Sequence, residues 1–464
     1  MNLDPALLLL IGAAAIIVLL VILLIPLKRV WQLYALVASV NPSPVALPAS
    51  SSGIFALAAI LRDPIGAARS LSKPLPSLLL LLTFTYVVSL IWSPKPSAGL
   101  AVVLTTTTVV AAVTLAIRAA VSLRSETASS DLWALTAIAT APLAIVQSVS
   151  TIVFRFDIAL EDRYLRSSVI GFLLGDEGRL LFTSMANNVV DPLKSGGLLF
   201  VNGNKASMVM AVWALVYLSV WLRRRRVMYV LLFAVCMAGA LSTSSKTAVF
   251  LAVSIVPVFL LLPSVLRVRS SPMTAFLGLI ALVTVACTLA AVVAALSDLL
   301  TGVDESAKDR ESLWSAAGGY FSDSPILGLG AGGWDERWAQ DASTHGLGVL
   351  PPHNLFIVAW ANGGLLAAAV IAIIVIYIAR RYLGLITRAG ASSDARASSI
   401  ELAALVWMIA HGMFDNTDFF GAPQSLPVFA AICMTATVAG ASRPPEPVGP
   451  MLTPSGESSR RVQE

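Results

Sequence analysis

Apolar residues in this chain come in runs long enough to cross a lipid bilayer, separated by short polar turns and by two long polar stretches. The first run, Pro5 to Leu27, exceeds the ~20 residues a helix needs to span a ~30 Å hydrocarbon core. It is also too long for a signal-peptide core, so it is expected to stay in the mature chain. Further runs occupy 77–93, 97–117, 131–154, 196–222, 227–242, 246–264, 272–297, 353–379, 400–414 and 420–440. Between Trp31 and Leu61, Asn41-Pro42-Ser43-Pro44 and the stretch from Pro48 to Gly53 interrupt the pattern and can split it into two short helices. The expected fold is all-α: a polytopic integral membrane helical bundle of about 12 transmembrane helices, or 13, with a large external loop between late helices.

The same pattern sets the organisation. Transmembrane helices are expected over 1–154, an external loop over 155–195, further helices over 196–298, a large external loop over 299–352, and C-terminal helices over 353–440. The stretch 441–464 is rich in Pro, Ser and charge, the composition of a disordered cytoplasmic tail. Composition agrees with the class: 57% hydrophobic and 12% charged residues with a mean hydropathy of +0.84 lie outside the range of soluble domains.

Short basic loops give the orientation, because Lys and Arg are retained on the cytoplasmic side. Placing Arg223 to Arg226 inside also puts inside Arg62, Arg69 and Lys73, then Arg118 and Arg124, Arg267 and Arg269, Arg380, Arg381 and Arg388, and Arg460 and Arg461. Both long loops are then outside. Lys28 and Arg29 alone disagree, and a 13-helix count with an external N-terminus removes the conflict. The net charge of +5 thus follows from topology and anionic lipid, and calls for no nucleic-acid partner. Cys236, Cys287 and Cys433 fall inside apolar runs without metal-ligand spacing, which predicts buried small side chains.

Ionisable groups near membrane depth are costly and mark candidate sites. Lys205 lies just inside the run that begins at 196, and Lys246 follows the turn Ser242 to Ser245; the alternative for both is a Lys stem that snorkels to the headgroups. The large loop adds Asp309-Arg310-Glu311-Ser312-Leu313-Trp314, then the glycine-dense Ser324 to Trp334, then Pro351-Pro352-His353-Asn354 at the start of an apolar helix, then Asn362-Gly363-Gly364. Glycines there allow close approach of backbone amides to a ligand.

In that order these segments resemble the O-antigen ligase and polymerase superfamily, membrane enzymes that move a glycan off a polyprenyl diphosphate carrier on the outer face of the membrane. Gly196 to Asn204 looks like that family's Gly-x-Phe-x-Asn-Pro-Asn helix start, and Leu241 to Lys246 like its Leu-Thr-x-Ser-Arg segment. The resemblance covers roughly residues 194–365; it implies substrate contacts from Lys194, Asn202, Asn204 and Asn354, and a bacterial inner-membrane location with the site facing outward. Lys246 stands where the family usually has Arg, and Asn362 where Glu is frequent; Lys offers phosphate a point charge instead of a planar fork.

The chemistry can be argued from residue types. A sugar on a diphosphate already carries a good leaving group, so the site needs cations more than a strong acid; Arg310, Lys246 and Lys205 supply them. An acceptor hydroxyl must lose a proton, and a histidine near pKa ~6.5 suits that task. His353 is the candidate base. No metal and no cofactor enter this scheme, and direct displacement would invert the anomeric carbon. The partners are a polyprenyl diphosphate-linked glycan donor, a glycan, lipid or protein acceptor, and membrane lipid. Trp314 and Trp334 are candidates for stacking on sugar rings or for interfacial anchoring. His345 is expected in solvent; His411 stands just before Asp415, Asn416 and Asp418, a cluster that either lines the site or is a solvated helix end. Arg155, Arg163, Arg166 and Arg179 among Leu160, Leu165, Ile170, Phe172 and Leu173 suggest an amphipathic helix on the outer headgroups. A transporter or flippase, favoured by the interrupted 31–61 stretch, and a non-catalytic member of a glycan assembly complex are the alternatives.

Overall fold

The computed structural model describes residues 23–40, 53–123, 127–173, 194–267, 305–345, 347–390 and 392–438, with scattered positions between 273 and 292. Most of the expected first span, most of the 272–297 span, Arg179 and the 441–464 tail lie outside the described residues. The helices are α1 (Leu27–Val40), α2 (Gly53–Arg62), α3 (Pro64–Leu71), α4 (Pro74–Ser89), α5 (Pro96–Ser122) and α6 (Ala128–Phe156). Two short surface helices follow, α7 (Ile158–Leu165) and α8 (Ser168–Leu173). Then come α9 (Gly203–Arg224), α10 (Val227–Ser242), α11 (Lys246–Arg267), the loop helices α12 (Glu305–Asp323) and α13 (Gly333–Asp341), and finally α14 (Leu355–Ala389), α15 (Ser393–Gly412) and α16 (Leu426–Val438).

Among the described residues, six helices are long and apolar enough to cross a membrane: α4 with its 3₁₀ extension to Trp92, α5, α6, α9, α11 and α14. α10 is a shorter apolar helix, as is the stretch from Pro423 to Val438 that contains α16. The interrupted 31–61 stretch does form two short helices, although the first starts earlier, at Leu27. Cys236 and Cys433 are buried as expected, whereas Cys287 is exposed.

The bundle has two chemically different ends. At one, Arg223 pairs with buried Glu401 and reaches Asp394 at 3.4 Å, Arg224 meets Asp131 at 2.7 Å, and Arg118 pairs with Asp63. Arg62 donates to the Ile25 carbonyl at this same end. Lys28 and Arg29 therefore share the end of Arg62, Arg118, Arg223 and Arg224, which removes the conflict met in the sequence. The opposite end gathers the C-termini of α4, α6, α10 and α15 and the N-termini of α5, α9, α11 and α14, where α12 and α13 are seated.

α12 and α13 build a second core of Leu313, Ala317, Tyr320, Trp334, Trp338 and Ala342, closed by Trp360 and Ala361 of α14. Just past these residues α14 breaks: Gly363 has φ −145°, ψ 19° and Gly364 has φ 70°, ψ −168°, the latter a conformation open essentially to glycine alone. The loop before α13 takes up the released backbone groups. Leu365 N–H donates to Ile326 O at 3.0 Å, Leu329 N–H donates to Ala361 O at 2.8 Å, and Gly332 N–H donates to Asn362 Oδ1 at 2.7 Å. A Cβ on Gly364 would stand 1.9 Å from Ile326 O. Gly364→Ala should therefore cost at least about 2 kcal/mol and lower the thermal midpoint of the purified protein by several degrees. Gly318→Ala, with nothing within 4 Å of the new methyl, should leave the midpoint unchanged or slightly raised; equal effects of the two would refute this account of the break.

Candidate functional site

Three stretches that carry lysines meet at the start of α9. A Cβ on Gly203 would lie 3.1 Å from Ser195 O and 3.3 Å from Thr243 O, so the backbones bearing Lys194, Lys205 and Lys246 are neighbours. Residues 195–199 are irregular chain held at the bundle end, where bare peptide groups need partners from the protein. Gln147 of α6 supplies two of these: its Nε2 donates to Gly196 O at 2.8 Å and its Oε1 accepts from Leu199 N–H at 2.8 Å. Ser150 Oγ accepts from Leu198 N–H, and Tyr164 of α7 donates to Leu198 O. Glu161 of α7 accepts from Gly196 N–H at 3.1 Å and Ser195 Oγ at 3.2 Å; burial raises its carboxyl against the pull of these two bonds. The arginine-rich stretch thus packs partly on protein through Glu161, Leu165 and Ile170, with Arg163 and Arg166 exposed.

Asn202 and Asn354 act as helix N-caps. Asn202 Oδ1 accepts from Asn204 N–H at 2.7 Å, and Asn354 Oδ1 accepts from Phe356 N–H and Ile357 N–H at 3.0 and 3.3 Å. Each relieves unpaired donors of a first turn. Trp314 donates its indole N–H to Pro352 O, Trp334 to Leu350 O and Trp338 to Gly348 O, each at 2.9 Å. Three indoles thus grip alternate carbonyls of the segment that leads to His353. That segment ends with His353 at φ 48°, a left-handed conformation uncommon outside glycine. His345 is exposed and stacks on Trp338.

His353 is half-buried, and its Nδ1 lies 3.7 Å from Oδ1 of Asp415. His411 is fully buried at the end of α15, its Nε2 4.0 Å from Asp415 Oδ2. Among the described residues, neither ring nitrogen of His411, nor His353 Nδ1, nor Asp415 Oδ2, has a hydrogen-bond partner. Asp415 Oδ1 accepts from Asn416 N–H at 2.7 Å. Burial works to raise the Asp415 carboxyl, but His353, His411 and the Asn416 amide outweigh it and hold it at about 2. Arg310, near the start of α12, and the Asn204 backbone are close enough to act on His411, and Lys205 is close enough to act on Asp418.

Of the residues expected from sequence, the structure thus brings His353, His411, Arg310, Asn204 and Lys205 into one neighbourhood, with Lys194 and Lys246 on adjoining backbone. It differs over the glycine run. Gly328, Gly330 and Gly332 have φ of 68°, 86° and 74°, and their close approaches are to Trp360 and Gly364, to Ser93, and to Ala98 and Gly99. Their freedom serves packing against α14 and α5. The sequence named Asp415 only as part of the cluster after His411 that either lines the site or is a solvated helix end; its approach to His353 was not foreseen, and the available signal for its pairing with His411 was the i,i+4 spacing.

Residues 231–372 match the family model of the O-antigen ligases. The match supports the superfamily resemblance drawn from the motifs and, broadly, a membrane enzyme of glycan transfer. It spans Lys246, Arg310, Trp314, His353 and Asn354, and leaves Lys205, His411 and Asp415 outside. No curated protein matches the chain.

The cluster makes a pH prediction. A carboxyl held at about 2 against an unfolded value of about 3.9 adds roughly 2 kcal/mol of stability. Because the folded value is depressed, that stability is present above pH ~4 and is lost as pH falls toward 2. Asp415→Asn should flatten this part of the stability profile, measured by thermal unfolding between those pH values; an unchanged slope would show that the two imidazoles do not hold the carboxylate.

Proposed function

We propose that this chain, which carries the O-antigen ligase match over 231–372, transfers a glycan from a polyprenyl diphosphate carrier to an acceptor hydroxyl on the outer face of a bacterial inner membrane. The observation that carries the proposal is the His353–Asp415–His411 cluster, with spacings of 3.7 and 4.0 Å, seated where Arg310 and Lys205 approach it. Asp415 orients His353 through Nδ1, which leaves Nε2 as the basic nitrogen. His353 takes the proton of the acceptor hydroxyl while its oxygen bonds to the anomeric carbon. The bond from that carbon to the diphosphate oxygen breaks, and its electron pair leaves with the diphosphate. Arg310, Lys246, Lys205 and Lys194 neutralise the charge that develops there. A single displacement of this kind inverts the anomeric centre and uses no metal or cofactor, since the leaving group is already activated. The 3.7 Å gap exceeds a hydrogen bond, and such gaps commonly tighten when substrate fills a site.

The break in α14 is a feature that transporters also use to build solute sites. Here loop 324–333 occupies the broken backbone, which favours a fixed scaffold over an alternating one. In a transfer assay with full-length protein in nanodiscs, His353→Ala should lower kcat by about 10²–10⁴. Arg310→Ala should lower the rate and raise KM for the lipid diphosphate donor, whereas His345→Ala should stay within about twofold. If His353→Ala and Arg310→Ala both turn over at the wild-type rate, the site is wrongly assigned; solute flux in proteoliposomes that ignores both changes would support transport instead.

A further inference from the structure

A cavity of about 220 Å³ lies beside the His–Asp–His cluster, lined by Tyr86 of α4, Thr105 and Thr106 of α5, Leu355 and Asn362 of α14, and Asp418 with Phe419 and Phe420. It is smaller than the ~300–1,000 Å³ of pockets for drug-sized ligands, a scale that suits one ring and not a chain. Leu355 stands two residues beyond His353 and Asp418 three beyond Asp415, so the cavity shares its frame with the candidate base.

Asp418 is unusual among the acidic residues of this chain. Its side chain is exposed although protein surrounds it, and it is a wall of the cavity. Its backbone is fixed by a two-way bridge: Asp418 N–H donates to Gly421 O at 3.0 Å and Gly421 N–H donates to Asp418 O at 2.8 Å. Gly421 turns at φ 84°, where a Cβ would meet Ser425 Oγ at 2.3 Å. The carboxylate is therefore presented by a rigid turn, with a threonine hydroxyl and an amide on neighbouring walls. Phe419, Phe420 and Leu355 give the cavity apolar walls.

These walls select a chemistry. A carboxylate repels phosphate, so the cavity does not take the diphosphate, for which the cations nearby are suited. Acceptors of hydrogen bonds beside apolar faces fit a neutral ring that carries hydroxyls on its edge and C–H groups on its faces. We propose that this cavity is a subsite for one uncharged sugar residue, with Asp418 accepting from its ring hydroxyls and Thr105 and Asn362 adding polar contacts. The proposal rests on the transfer reaction above, and names where a sugar next to the new bond is held. Burial pushes the Asp418 carboxyl up to about 6, with Lys205 pulling it back, so at neutral pH the carboxylate acceptor still predominates.

Two measurements on the full-length protein in nanodiscs test this. In the transfer assay, Asp418→Asn and Thr105→Val should each raise one KM about tenfold while kcat stays within about twofold. A rise confined to acceptor KM assigns the cavity to the acceptor sugar, and one confined to donor KM to the donor sugar. Unchanged KM for both substrates, or a loss in kcat alone, overturns the subsite. The second measurement needs no turnover: saturation-transfer NMR with the methyl glycosides of glucose, galactose, mannose and N-acetylglucosamine. At least one should receive saturation from wild type and from His353→Ala, and lose it with Asp418→Leu. Binding of this kind without transfer in wild type would sink the enzyme reading and keep the subsite; no sugar signal from wild type would sink the subsite. Thermal midpoints equal to wild type establish that the variants are folded.

Discussion

A peptide group that leaves a helix at membrane depth must find its hydrogen bond within the protein, because hydrocarbon offers none. That constraint organises this molecule. α14 opens at Gly363 and Gly364, and the loop before α13 closes the opening with Ile326 O, Leu329 N–H and Gly332 N–H. The loop cannot drift while it completes a broken helix. Its aromatic core continues the restraint: three indoles fix the carbonyls of Gly348, Leu350 and Pro352, and Asn354 caps the helix that begins at once. His353 stands between the last indole contact and the cap, in a left-handed conformation that such restraint can hold.

The same requirement shapes the other side of the site. Residues 195–199 lack helical partners, so Gln147, Ser150, Glu161 and Tyr164 bind them. This fixes the approach to α9, and with it Lys194, Asn204 and Lys205. The acidic residues follow a different logic. Asp415 is buried between two imidazoles, which hold its carboxyl at about 2, whereas Asp418 looks into a cavity and burial pushes its carboxyl up to about 6. Two carboxylates three residues apart thereby differ in affinity for a proton, and the roles proposed for them, one to orient a base and one to accept hydroxyls, use that difference.

The all-helical class was legible in the apolar runs, because lipid imposes length, and six of the described helices are long and apolar enough to cross a membrane. Lys28 and Arg29 looked misplaced while the 31–61 stretch was counted as one crossing; α1 and α2 divide it, and Arg62 at the end of α2 returns to the Ile25 carbonyl beside them. Lys205 was legible as a charge near membrane depth, and Arg310 and His353 through the order of the segments along the large polar loop. Asp415 was legible as a member of the cluster after His411 but its contacts were not, since that with His353 joins distant parts of the chain and that with His411 crosses a helix end, where periodicity no longer says which way a side chain points. The glycine run was legible as a tight turn, but sequence does not say what approaches it. Gln147 was hidden within an apolar helix, as a lone amide whose partners lie in another segment.

The reaction proposed for this site is a direct displacement at the anomeric carbon, with the proton taken by His353. The most direct test is the anomeric configuration of the product formed by the purified protein from a polyprenyl diphosphate glycan of known configuration, read by NMR. Inversion accompanied by one lipid diphosphate released per bond formed is the predicted result; retention of configuration, or no glycosidic bond at all, would contradict it.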